Sequence, residues 1–193
     1  MMKETEDIIN MQLDFLPLKS YTNIHEGNAL RMDWETVIAK GKLSYIMGNP
    51  PFVGLSLRDK EQQKDMNMVF ANNDRSGRLD YVAAWYKKAA VYAENTDVQV
   101  AFVSTNSIVQ GEQVPILWED IFNQNHMKIN FAYRTFVWNS EAKERAAVHC
   151  VIIGFGFKNR VNKVLFEEAR PFYVDKINGY LVNADNILSL IHI

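Results

Sequence analysis

The sequence predicts an α/β protein with a mainly parallel sheet, covered by helices on both faces. Short apolar runs at residues 43–47, 98–103 and 148–153 read as buried strands. Between the first two lies a stretch of helical periodicity, with Tyr81, Ala84, Trp85, Ala89 and Tyr92 recurring on one side. Strands that alternate with helices in this way favour parallel pairing.

Taken in order, residues 4–16 carry Ile8, Ile9, Leu13 and Leu16 among charges and predict a helix stopped at Pro17. Residues 22–25 read as a short strand entering the turn Glu26-Gly27-Asn28. The run at 43–47 is too short and too uniformly apolar for an exposed helix. Residues 55–74 are charged and amide-rich, with Met66, Met68, Val69 and Phe70 giving a helix one apolar face before a turn at Ser76-Gly77. A helix over 80–94 starts at Asp80, a good N-terminal residue. The strand at 98–103 ends in the polar loop Ser104-Thr105-Asn106, and a helix comes next around 114–123 with Pro115 tolerated in its first turn. Strands at 129–134 and 148–153, joined through the turn-rich segment 138–141, predict a pair that closes one edge of the sheet. No internal repeat is visible.

At 193 residues the chain is one domain by length. With 48% apolar and 23% charged residues and no long apolar run, it reads as a soluble protein with no membrane partner. Residues 1–6 lack the basic start of a signal peptide. The single cysteine, Cys150, rules out an intrachain disulfide framework and fits a reducing, cytoplasmic setting. Four scattered histidines and that thiol give no zinc spacing, so no metal is expected. A net charge of −2 carries no overall signature of a nucleic-acid binder.

The candidate site is Asn49-Pro50-Pro51-Phe52, directly after the 43–47 strand. In an open α/β sheet, ligands sit beyond the carboxyl ends of the strands. Proline fixes φ and removes a backbone donor, so this turn offers oxygens without competing N–H groups. The Asn49 amide oxygen and the Pro50 carbonyl can each accept a hydrogen bond from one NH2 group. Acceptors off the plane of an aromatic amine favour a pyramidal nitrogen and localise its lone pair for attack on an activated methyl group. Phe52 would stack on the base, worth about 1–3 kcal/mol, once the base is flipped from its duplex. The competing reading is a proline-stopped strand with Phe52 in the core.

Gly48-Asn49-Pro50-Pro51-Phe52 resembles the catalytic motif of class I S-adenosylmethionine-dependent amino methyltransferases. Further blocks resemble large bacterial DNA adenine methyltransferases of single-chain (Type IIG) restriction-modification systems. They are residues 28–34, 79–86, 102–108, 131–136 and 146–150, in the expected order, within a similarity that runs from about residue 20 to residue 187. The resemblance implies a partial Rossmann-like sheet, mostly parallel with an antiparallel closing strand, from the family order 3-2-1-4-5-7-6. It implies that Asn49, Pro50, Pro51 and Phe52 handle the target adenine. It also implies that Asn28, with Ala29, Gly48 and Asp80, borders the S-adenosylmethionine. Many relatives carry Asp at the Asn28 position, so that contact is expected to be weaker or rearranged; a plain turn residue is the alternative. Asp80 also reads as a helix cap. Phe136 and Trp138 fall where the family places an aromatic wall for the flipped base, though core packing accounts for them equally. Lys60, Lys64, Arg75 and Arg78 can touch phosphates but read first as solvated surface.

The family's glycine-rich cofactor loop and ribose-binding acid have no counterpart in residues 1–22, so the sheet is expected to lack its first two strands. Residues 1–187 then form part of a catalytic domain whose main grip on double-stranded DNA lies in a recognition domain further on, and the isolated chain is expected to be nearly inactive. Residues 188–193 back-translate to CTG TCT CTT ATA CAC ATC, which resembles a transposon end used in sequencing-library preparation; they are expected to be a non-native tail. Two other functions fit less of the sequence: methyl transfer to RNA or protein glutamine with the same tetrapeptide, and a non-catalytic DNA- or protein-binding module.

Overall fold

The structure is a computed structural model that describes residues 24–71, 73–138 and 148–186. The helix expected at 4–16 and the tail at 188–193 lie outside the described residues. Of the strand expected at 22–25, Ile24 and His25 are described, and neither belongs to a strand.

The chain enters through a turn in which the Asn28 carbonyl accepts from the backbone N–H groups of Arg31 and Met32. Next comes a one-turn helix, α1 (Trp34–Val37), capped by Asp33, which accepts from the Glu35 N–H. Strand β1 (Tyr45–Gly48) leads into the Asn-Pro-Pro-Phe turn. Helix α2 (Lys60–Val69) begins with a capping box in which Asp59 and Gln62 satisfy each other's backbone N–H. Helix α3 (Ala83–Ala93) is alanine-rich on its buried side: Ala83, Ala84, Ala89, Ala90 and Ala93 are fully buried, so its backbone lies close against its neighbours.

Strand β2 (Gln99–Thr105) alternates half-buried and buried residues, turning Val100, Phe102 and Ser104 towards α3. There the Tyr86 ring meets Phe102 edge-on at 5.3 Å and stacks on Phe155 at 5.5 Å, and its hydroxyl bonds Ser104 Oγ. Helix α4 (Gln113–Glu119) takes Pro115 in its first turn as expected and then widens into a π-turn over Asp120–Gln124. Strands β3 (Lys128–Trp138), β4 (Val148–Gly156), β5 (Lys163–Glu167) and β6 (Arg170–Val174) complete the sheet.

The strand order is β1-β2-β4-β3-β5-β6. The β1–β2 and β3–β5 pairings are parallel and the other three antiparallel. Four strands therefore share one direction, and β4 and β6 oppose them. The succession β1-β2-β4-β3 is the 4-5-7-6 half of the expected sheet. The β3–β4 pair does not close the sheet, because β5 and β6 continue it beyond β3. Close packing sets this half in place: a Cβ on Gly154 would come within 1.9 Å of the Phe131 ring, which lies across that glycine.

Helices were expected on both faces. Among the described residues, α3 and α4 cover one. On the other, Tyr45 and Met47 of β1 and Phe131 of β3 are exposed and border a groove of about 510 Å³ with Ala101 and Phe166.

Candidate active site at the carboxyl ends of β1 and β2

The parallel register sets Gly48, the last residue of β1, opposite Phe102. A Cβ at Gly48 would meet the Phe102 ring at 3.4 Å, an ordinary van der Waals contact. The next four residues carry the chain off the sheet: Asn49 is exposed, Pro50 buried, Pro51 exposed and Phe52 36% exposed. The buried Pro50 ring anchors a turn whose φ angles the two prolines already restrict. Asn49 is thus not turned into the core. Neither Asn49 nor Phe52 lines any of five of the best-formed grooves among the described residues.

The segment after Phe52 is clasped to the start of α3. The Val53 carbonyl accepts from the Tyr81 N–H, and the Leu55 N–H donates to Asp80 Oδ1, both at 2.9 Å. The other Asp80 oxygen accepts from Ser107 Oγ, in the loop leaving β2, and the Asp80 N–H donates to Gln113 Oε1 in α4. Asp80 was expected to cap the helix or line a cofactor pocket. Helix α3 instead starts at Ala83, with Val82 at its cap and no side-chain cap bond. Both Asp80 oxygens are engaged in joining the exits of β1 and β2. Asp80→Ala removes the part-buried hydrogen bonds to the Leu55 N–H and the Ser107 hydroxyl and should lower stability by about 1–3 kcal/mol, measurable as a shift of the urea midpoint.

Asn28 sits in the turn before α1, exposed, with half-buried Ala29 beside it. Its Oδ1 accepts from the Leu30 N–H and its Nδ2 donates to Asp65 Oδ2, both at 2.9 Å. The Ala29 carbonyl accepts from the Trp34 indole, and Lys88 donates to the Leu30 carbonyl. Asp65, buried on α2, was not anticipated; a lone acid beside Met66 gave no signal of its distant partners. It also accepts from Tyr81 Oη at 2.7 Å and Arg31 Nε at 2.6 Å. Burial alone would raise its pKa. The bonds from Tyr81, Arg31 and Asn28 outweigh that and hold the carboxyl below the ordinary aspartate range. Burial and the bond to Asp65 push the Tyr81 hydroxyl up. Because the folded-state pKa of Asp65 is depressed, its stabilisation is present above the unfolded value near 3.9 and is lost as pH falls through the folded one. Denaturation series from about pH 5 to pH 2 should show the wild type losing more stability than Asp65→Asn.

Phe136 and Trp138 lie at the carboxyl end of β3, their rings 6.3 Å apart, with Tyr133 edge-on to Phe136 at 5.5 Å. The register carries Phe136 through Cys150 to Thr105, so these aromatics share a sheet end with Asn49. Three strand spacings separate β1 from β3, about 14 Å. The exposed Trp138 is not core; Phe136 is half-buried. Of the basic residues, Lys64 pairs with Glu61, Arg75 with Glu119 and Arg78 with Glu112 at the surface. Among the described residues no group of three His, Cys, Asp or Glu side chains is placed to hold a metal, and no helix is long and apolar enough to cross a membrane.

The strand succession and the turn at its edge are those of a class I methyltransferase-type sheet. The chain belongs to the family described as MmeI, DNA-methyltransferase domain, which matches residues 1–167. It is 44% identical over 176 residues to DNA methyltransferase A of Bacillus subtilis (strain 168), covering 90% of this chain and 20% of that protein. It is also similar to the Type IIL restriction-modification enzyme MmeI, solved in complex with DNA. That match has 43% identity and a TM-score of 0.84, and covers 96% of this chain and 26% of the other. The chain therefore spans about a fifth to a quarter of the length of these relatives.

Proposed function

We propose that the chain is the central and C-terminal part of the catalytic domain of a restriction-modification enzyme that methylates the exocyclic amine of adenine in double-stranded DNA. The observation that carries this reading is the exposed Asn49, held on a buried Pro50 at the carboxyl end of β1. Similarity to MmeI, which binds DNA in its solved structure, supports DNA as the substrate.

S-adenosylmethionine supplies the activated methyl group when bound. Asn28 fits its purine: the side-chain amide is exposed and keeps one Oδ1 lone pair and one N–H beyond its bonds to Leu30 and Asp65. Gly48, the last residue of β1, adds no bulk beside the turn. At the other substrate, the Asn49 oxygen and the Pro50 carbonyl accept the two amine hydrogens and expose the nitrogen lone pair. Phe52 stacks on the flipped base, and Phe136 and Trp138 line the opposite side. Asp80 holds the segment after Phe52 in place.

The test is methylation of mixed-sequence duplex DNA by the full-length protein with radiolabelled S-adenosylmethionine, then digestion to nucleosides. Label in N6-methyladenine is expected; label in any other nucleoside, or none in the DNA, would overturn the assignment.

A further inference from the structure

We infer that Asp65 is a positioning residue for cofactor recognition: it fixes which end of the Asn28 amide is left to accept the amine of the cofactor's purine. The inference rests on the S-adenosylmethionine reading above and deepens it.

An asparagine amide has two ends of nearly equal shape and opposite hydrogen-bonding sense. Here two neighbours settle the orientation together. Leu30 offers an N–H, which only the amide oxygen can take. Asp65 offers a carboxylate oxygen, which only the amide nitrogen can approach. Asp65 is itself held acceptor-only by Arg31 on one oxygen and by Tyr81 on the other. The amide is left with one lone pair and one N–H in fixed places. Adenine presents an amine donor beside a ring-nitrogen acceptor, and hypoxanthine reverses both. An amide free to swap ends could serve either; an amide held by Asp65 serves adenine. The arrangement also accounts for Asn at a position where the family resemblance leads to Asp: Asp65 occupies the donor end, and the oxygen remains to do the carboxylate's work.

Two variants separate this role from simple support. In Asp65→Asn, Arg31 draws the new oxygen and turns the new NH2 towards Asn28 Nδ2, a donor against a donor; flipping the Asn28 amide only moves that conflict to the Leu30 N–H, so neither orientation is favoured. In Asn28→Asp/Asp65→Asn, the carboxylate at position 28 accepts from both the residue 65 NH2 and the Leu30 N–H, so an oxygen again faces the purine amine, although the N–H of the amide is gone.

The experiment is calorimetric titration of the full-length protein with S-adenosylhomocysteine and with its 6-oxo counterpart, S-inosylhomocysteine. The wild type should prefer the adenosyl compound by about tenfold or more, the scale of one well-placed hydrogen bond. Asp65→Asn should bring the two affinities close to parity, and the exchanged pair should restore the preference. A preference kept in Asp65→Asn, or lost in both variants, overturns the inference. Should Asp65→Asn fail to fold, the exchanged pair decides alone: preference retained supports the role and preference lost overturns it. Wild-type protein that binds both compounds equally overturns the inference and leaves the cofactor reading standing. Protein that binds neither overturns the cofactor reading, and the inference with it.

Discussion

Asn49→Ala in the full-length protein should lower the rate of methyl transfer by about 10²–10³-fold, with DNA affinity nearly unchanged. The reason is where the side chain acts on the proposed reading. An amine conjugated to a purine is a weak nucleophile, and its hydrogens are gripped tightly only as the nitrogen becomes pyramidal. Loss of that grip raises the barrier for the chemical step without touching the phosphate contacts that dominate affinity for DNA. Nor should folding suffer, because Asn49 is exposed while Pro50 supplies the anchor. A single-turnover measurement with radiolabelled cofactor, run beside a DNA-binding assay, separates the two effects. A loss smaller than about tenfold would remove Asn49 from the chemistry.

The second large effect is on stability. Lys87 of α3 and Asp120, where α4 widens into its π-turn, form an ion pair 2.9 Å apart with both side chains nearly out of water. The Asp120 oxygen lies off the line of a hydrogen bond, and the lysine donates instead to Asn125 Oδ1 at 2.9 Å. Asp120→Ala strands the ammonium in the interior and should cost about 3–5 kcal/mol. The double variant Lys87→Met/Asp120→Leu removes both charges and fills the space, and should recover most of that loss. Urea denaturation of all three proteins checks both statements; equal losses in single and double variants would show that the charges themselves are not what matters.

Strands β1 to β4 and helices α2 to α4 were legible because each announces itself locally. The apolar runs are short, the helices have regular buried sides, and Pro115 sits where a helix tolerates it. The hairpin of β5 and β6 was not. Its two-residue turn, Glu168-Ala169, has positive φ at both positions, a conformation that sequence reading associates with Asn-Gly. Neither residue favours that conformation, so the pairing of β5 with β3 must hold it. At the site, Asn49 to Phe52 could be read directly because proline dictates its own backbone. The engagements of Asp80 and Asp65 could not, since Leu55, Ser107, Asn28 and Arg31 lie 25 to 37 residues from the acid each one meets. Only the folded chain brings them together, and it turned an expected helix cap into a clasp between two loops.

Strand β1 is hydrogen-bonded along one side only among the described residues, by β2. Its other flank is a row of unspent peptide groups ending at Gly48. Any polypeptide that zips onto that seam arrives about 4.8 Å from the strand that leads into Asn49, and on the proposed reading would supply the near wall of the chamber for methyl transfer. Catalytic competence at this turn would then double as a gauge of docking at the seam.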